Sequence, residues 1–102
     1  MINKINSKNL IIGTANFSSN YGLKHKNKVI TNKKKKNIIS FIKKKKINFF
    51  DTSQEYSDSE SFLGRQNIRN IKVITKVIFK KKKISEKYVE KLINKSLKNL
   101  KV

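Results

Sequence analysis

Asp51, Tyr56 and Lys76 are the residues of this chain whose types and spacing could do chemistry. Four of the six acidic residues (Asp51, Glu55, Asp58 and Glu60) fall inside "FFDTSQEYSDSESFLG", residues 49–64, which surround Tyr56 and contain no lysine. Both flanks of that island are lysine-rich. An ammonium is stabilised by a neighbouring carboxylate, and it in turn favours the phenolate form of an adjacent tyrosine. A phenol so poised can give its proton to a carbonyl oxygen as negative charge builds there. Such a site also needs a hydride or a nucleophile for the carbonyl carbon. The sequence offers no obvious nucleophile, and a nicotinamide cofactor would fit.

The elements that must position these groups alternate along the chain. "NLIIGTA" (9–15) reads as a buried strand closed by Gly13, and "FSSNYGLKHKNKVITN" (17–32) as a long loop. Thr31 or Asn32 can cap a helix over "KKKKNIISFIKKKK", where Ile38, Ile39 and Ile42 keep helical spacing. "INFFD" (47–51) is a second strand. "SDSESFLGRQ" suits a short helix opened by Ser57 or Ser59 and stopped at Gly64. "NIKVITKVIF" (70–79) reads as a third strand. "EKYVEKLINKSLKNL" (86–100) is an amphipathic helix with Ser85 as its N-cap and Val89, Leu92, Ile93, Leu97 and Leu100 on its apolar side.

Strands that alternate with helices predict parallel pairing and right-handed crossovers. Ile47, Phe49 and Asp51 then share one face of the second strand, with Asn48 and Phe50 on the other, while Ile74 and Lys76 share a face of the third. Parallel neighbours ~4.8 Å apart would let Asp51 and Lys76 meet. The next loop carries Tyr56 over the same edge. Carboxyl ends of parallel strands are where α/β proteins place their chemistry.

Composition bounds the alternatives. The chain has 102 residues, enough for one small domain. It has no cysteine, which excludes a disulfide scaffold, a thiolate zinc site and thiol catalysis and suits a reducing compartment. No apolar run approaches the ~20 residues of a membrane span, and "MINKINSKNLIIG" has too short an apolar core for a secretory signal, so the cytoplasm is expected. The net charge of +20 invites a nucleic-acid reading. Yet Lys, Asn and Ile, which have A/T-rich codons, make up half the chain, and there are only two arginines, the residue a phosphate-reading surface favours. Codon bias is the more economical source of the charge. The runs Lys33–Lys36, Lys43–Lys46 and Lys80–Lys83 are expected to be solvated, His25 to be a surface residue, and Tyr21, Phe41 and Tyr88 to pack or flank helices.

"GTANFSSNYG", the island, "KVITK" and "SLKNL" (96–100) resemble, in order, motifs of the aldo/keto reductase family: Gly13-Thr14, Asp51-Thr52-Ser53 through Tyr56, Ser59-Glu60 with Leu63-Gly64, and Lys76. The resemblance covers nearly the whole chain. It implies an incomplete (β/α)8 TIM barrel, about the first three βα units, with residues 1–102 as the amino-terminal part of one barrel domain. It implies NADPH-dependent reduction of a small-molecule carbonyl, with Tyr56 as general acid, Lys76 lowering its pKa and Asp51 paired with Lys76. Gly13, Thr14 and Asp51 would lie near the cofactor's nicotinamide end, whereas the grip on its phosphates comes from later strands of the family fold. Glu60 and Leu63-Gly64 belong to helix packing. Ser57 stands where the family prefers glycine. The family's histidine follows its fourth strand, which should begin where this chain stops at Val102, so a truncated protein, inactive alone, is expected. Its third strand would be left with an open edge unless a complementary chain completes the barrel. The rival readings are a small basic module for nucleic acid or another polyanion, which the scarcity of arginine and interleaved aromatics opposes, and an inactive remnant.

Overall fold

A computed structural model describes residues 6–17 and 30–102 of the chain. Three short strands, β1 (Ile11–Gly13), β2 (Phe49–Asp51) and β3 (Lys72–Ile74), form one parallel sheet in the order β1-β2-β3. Three helices alternate with them: α1 (Asn32–Lys44), α2 (Ser59–Gly64) and α3 (Glu86–Leu100). Parallel strands need long crossovers, and α1 and α2 lie in the two that join these strands. The fold class expected from the alternating pattern is therefore the one observed.

The helices begin where local chemistry satisfies their free N–H groups. The Thr31 hydroxyl accepts from the Lys34 amide and the Ser85 hydroxyl from the Tyr88 amide, as their positions suggested. Helix α2 differs: its N-cap is Asp58, without a side-chain cap bond, rather than Ser57 or Ser59. A turn of 3-10 helix at Ser7–Asn9, opened by the Asn6 side chain accepting from the Lys8 amide, precedes β1, which is shorter than the 9–15 stretch expected. Most of the 17–32 loop, with Tyr21, Gly22 and His25, lies outside the described residues.

Register Ile12↔Phe50↔Val73 places one face of the sheet against the helices, where Phe50 is buried with Ile39, Ile42, Phe62, Leu63 and Leu100. The opposite face carries Ile11, Phe49 and Ile74 and has no covering layer among the described residues: Ile11 is 53% and Ile74 47% exposed. Beyond Ile74 the third strand is shorter than the 70–79 stretch foreseen. Backbone bonds continue from the Thr52 and Gln54 amides to the Ile74 and Lys76 carbonyls, but the Ile78 amide goes to the Gln54 side chain instead. Once β2 turns away, a glutamine takes the place of a partner strand.

One lysine-run reading is corrected, and one glycine reading is borne out for a more specific reason. Lys35 is 5% exposed, its ammonium 5.1 Å from the ring centre of Phe62 and 6.0 Å from that of Phe17; the aromatic faces offset its desolvation. The rest of that run, Lys43–Lys46 and Lys80–Lys83 are exposed, as expected. Gly64 does end α2, but what requires it is close approach. A Cβ there would stand 1.9 Å from the Asn99 carbonyl oxygen on α3. Gly64→Ala should therefore lower the unfolding free energy by about 1–3 kcal/mol, the usual cost of overpacking, measured by urea denaturation.

Candidate active site

Three segments converge at the carboxyl edge of the sheet. Gly13 and Asp51 are opposite one another in the β1–β2 register, and Asp51 is opposite Ile74 in β2–β3. Lys76, two residues past the end of β3, keeps the parity of Ile74 and reaches back across to β2. Its ammonium donates to Asp51 Oδ1 at 2.5 Å and to the Thr52 carbonyl at 2.9 Å. Tyr56 sits in the turn between β2 and α2, its amide bound to the Ser53 carbonyl and its carbonyl to the Ser59 amide. The Lys76 ammonium lies 5.3 Å from the centre of the half-buried Tyr56 ring. The acid, the amine and the phenol that the sequence placed on one edge are thus brought together.

Electrostatics follows from that convergence. The hydrogen bond to Asp51 raises the Lys76 pKa above its ordinary 10.5, aided by the Asp51 charge and by Tyr56, and only partly opposed by desolvation. Lys76 is held as the cation. Its side chain is 48% exposed, so solvent screens the pair and its contribution to stability is modest.

Beneath the open groups runs a buried chain of hydroxyls. Thr52 Oγ1 donates to Ser59 Oγ at 3.0 Å, Ser59 Oγ to Thr14 Oγ1 at 2.9 Å, and Thr14 Oγ1 to the Asp51 carbonyl at 3.1 Å. All three hydroxyls are withdrawn from solvent. The Thr14 side chain is therefore occupied within the protein, and its amide also binds the Asp51 carbonyl. Gly13 is different: open space lies where its Cβ would be, beside Asp51. A flat ring could approach the sheet edge there. The one sequence signal for the hydroxyl chain is a hydroxyl residue directly after β1, directly after β2 and at the start of α2, and nothing along the chain announces that they touch.

Further support comes from Glu60 and from Gln54, the latter a residue to which the motifs assigned no role. Glu60, 3% exposed, accepts from the Thr75 hydroxyl (2.6 Å), the Ser96 hydroxyl (2.8 Å) and the Asn99 amide (3.3 Å). Gln54 donates to the Leu92 carbonyl and to Ser96, both at 2.7 Å. Lys76 is thereby flanked by two tethers to α3, one through Thr75 and one through Gln54. Glu60 and Gly64 were expected to serve helix packing, and that is where their contacts lie.

Residues 9–102 match the sequence profile of the aldo/keto reductase family. The chain belongs to the aldo/keto reductase family. Two solved structures from Pseudomonas aeruginosa, each described as a "putative aldo-keto reductase", are similar in fold to this family member, with TM-scores of 0.72 and 0.70 at 23% and 20% identity. Each similarity covers 90% of this chain but only 38% and 36% of the other. The chain thus spans well under half the length of the structures it matches. No curated protein matches the sequence significantly. The three parallel strands and their helices correspond to part of the barrel those structures share.

Ser57, where the family prefers glycine, has φ 45°, in the left-handed region. Ser57→Gly should therefore raise stability by roughly 0.5–1 kcal/mol, the steric relief exceeding the extra entropy of the unfolded glycine, as read by the denaturation midpoint. The Lys76–Asp51 pair carries a pH signature. Because folding raises the Lys76 pKa, its stabilisation is full below the unfolded value and is lost as pH climbs through the folded one. Asp51→Asn should thus destabilise the protein at neutral pH by a few tenths of a kcal/mol, with the gap to wild type closing above about pH 10.5. Unfolding titrations from about pH 8 to 12 would read this.

Proposed function

We propose that the chain is the amino-terminal part of an aldo/keto reductase barrel and carries the proton-donating side of a site that reduces a small aldehyde or ketone. The observation that carries this reading is the meeting of Asp51, Lys76 and Tyr56 at one sheet edge. Asp51 keeps Lys76 charged and aimed. Lys76 presents its positive charge to Tyr56, favouring loss of the phenolic proton. Tyr56 stands over the edge with its hydroxyl as proton donor to a substrate carbonyl oxygen, acting as general acid.

NADPH, when bound, supplies the hydride for the carbonyl carbon. Its nicotinamide end would lie at Gly13, opposite Asp51 in the sheet, where no atom stands within 4 Å of a Cβ position. Thr14 would shape that position through its backbone, since its hydroxyl is committed to Asp51 and Ser59. Grip on the cofactor's phosphates and closure over the apolar face of Ile11, Phe49 and Ile74 require further strands. Those come from more of the same protein or from a complementary chain. The 102 residues on their own are inactive in this reading.

Two constructions test it. The 102-residue chain alone should show no aldehyde-dependent oxidation of NADPH. Substituted for the matching segment of a family enzyme, residues 9–102 should support reduction, and Tyr56→Phe should cut kcat about 10²- to 10⁴-fold. Lys76→Met should act in the same direction. Turnover undiminished by Tyr56→Phe would remove the tyrosine from this role.

A further inference from the structure

The second concentration of unexplained groups is at the opposite end of the sheet. The end of α1 and the segments that lead into β1, β2 and β3 line a half-open cavity of about 450 Å³. Lys8, Lys43, Lys46 and Arg69 line it together with Asn67 and Asn70, and among the described residues no carboxylate or aromatic ring does. Among the described residues the one ion pair is Lys76–Asp51, so these four cations have no acidic partner there. Their backbones are well tied. The Lys46 amide binds the Lys43 carbonyl, the Ile47 amide the Ile42 carbonyl, and the Ile71 amide the Ile68 carbonyl.

Codon bias suffices for lysine, including the four (Lys81, Lys91, Lys95 and Lys98) that line another cavity beside α3, but it does not explain the arginine here. Both arginines of the chain, Arg65 and Arg69, belong to one short segment, and a second cavity lined by both shares Asn67, Ile68 and Arg69 with the first. Guanidinium is the group that binds phosphate through paired, directed hydrogen bonds, and asparagine amides add neutral donors. Four uncompensated charges on a concave surface focus the field on an anion small enough to enter. A nucleic-acid strand would instead call for an extended groove with stacking rings.

We propose that this cavity binds a compact phosphate anion of the pyrophosphate type, at the end of the sheet remote from Tyr56. The site is distinct from the carbonyl-reducing edge, and its occupancy does not depend on that reading. Pyrophosphate titrated into the intact protein, at fixed ionic strength, is the probe. The expected result is saturable binding by calorimetry, with amide resonances of residues 67–71 shifting in NMR spectra. Lys43→Gln/Arg69→Gln should weaken binding at least about tenfold, while Lys91→Gln/Lys95→Gln on α3, the same loss of charge elsewhere, should change it less than about twofold. All four side chains are exposed, so helix content by circular dichroism should be unchanged. Equal weakening by both pairs would overturn the proposal in favour of diffuse attraction. So would binding of a DNA duplex with the same dependence on Arg69 where pyrophosphate does not bind.

Discussion

One buried carboxylate governs how the parts of this chain are held. Glu60 is almost fully withdrawn from water, where an unsatisfied charge would be prohibitive. Its three donors come from two other elements: Thr75 beyond β3, and Ser96 and Asn99 on α3. Meeting that demand fixes α3 against α2 and sets where the chain leaves β3. Lys76 follows Thr75 directly, so the placement of the catalytic candidate is downstream of a structural requirement. Gly64 lets the same two helices come close enough for the contact to form. Removing the carboxyl would leave one buried donor, Ser96, and two half-buried ones, Thr75 and Asn99, to find partners, which is why a polar residue sits at the centre of this packing.

The site shows a division of labour. Groups that could meet a substrate (Asp51, Tyr56, Lys76) face the uncovered side of the sheet and remain partly solvated. Groups that only hold them (Thr14, Thr52, Ser59, Glu60) are buried: the three hydroxyls are bonded to one another and to the Asp51 carbonyl, and Glu60 to Thr75, Ser96 and Asn99. This arrangement lets the charged pair stay hydrated at the uncovered edge while buried hydrogen bonds hold the backbone beneath it. It also accounts for the apolar side chains on the same face. Ile11, Phe49 and Ile74 are suited to the packed interior of a closed barrel, where strand residues fill the centre.

Much of this was readable along the chain because it rests on local or periodic signals. The span of α3 and its Ser85 cap follow from a 3.6-residue apolar repeat, and the convergence of Asp51 with Lys76 from strand parity. What escaped depends on contacts distant in sequence. In α3 the repeat assigns Ile93 and Leu97 to the core, yet both are exposed, while Ser96 is buried because Glu60 and Gln54 need its hydroxyl. The end of β3 was overrun because β-branched residues continue past the point where a glutamine side chain replaces the partner strand. Lys35 was invisible inside a run of identical neighbours, since only the helix phase distinguishes it. The family resemblance identified Ser57 as a departure, but the backbone conformation that makes it matter appears only in three dimensions.

That buried lysine has a consequence for how α1 can vary. Thr31 anchors the start of the helix, Lys35 falls one turn later between Phe17 and Phe62, and Ile39 and Ile42 follow on the same side. Loss or gain of a single residue in the Lys33–Lys36 tract would rotate everything after it by about 100° relative to the anchor. The isoleucines would swing toward solvent although no apolar residue had changed. The tract is therefore permissive toward replacement at three of its four positions but unforgiving of a change in length, the kind of error to which a homopolymeric stretch is most prone.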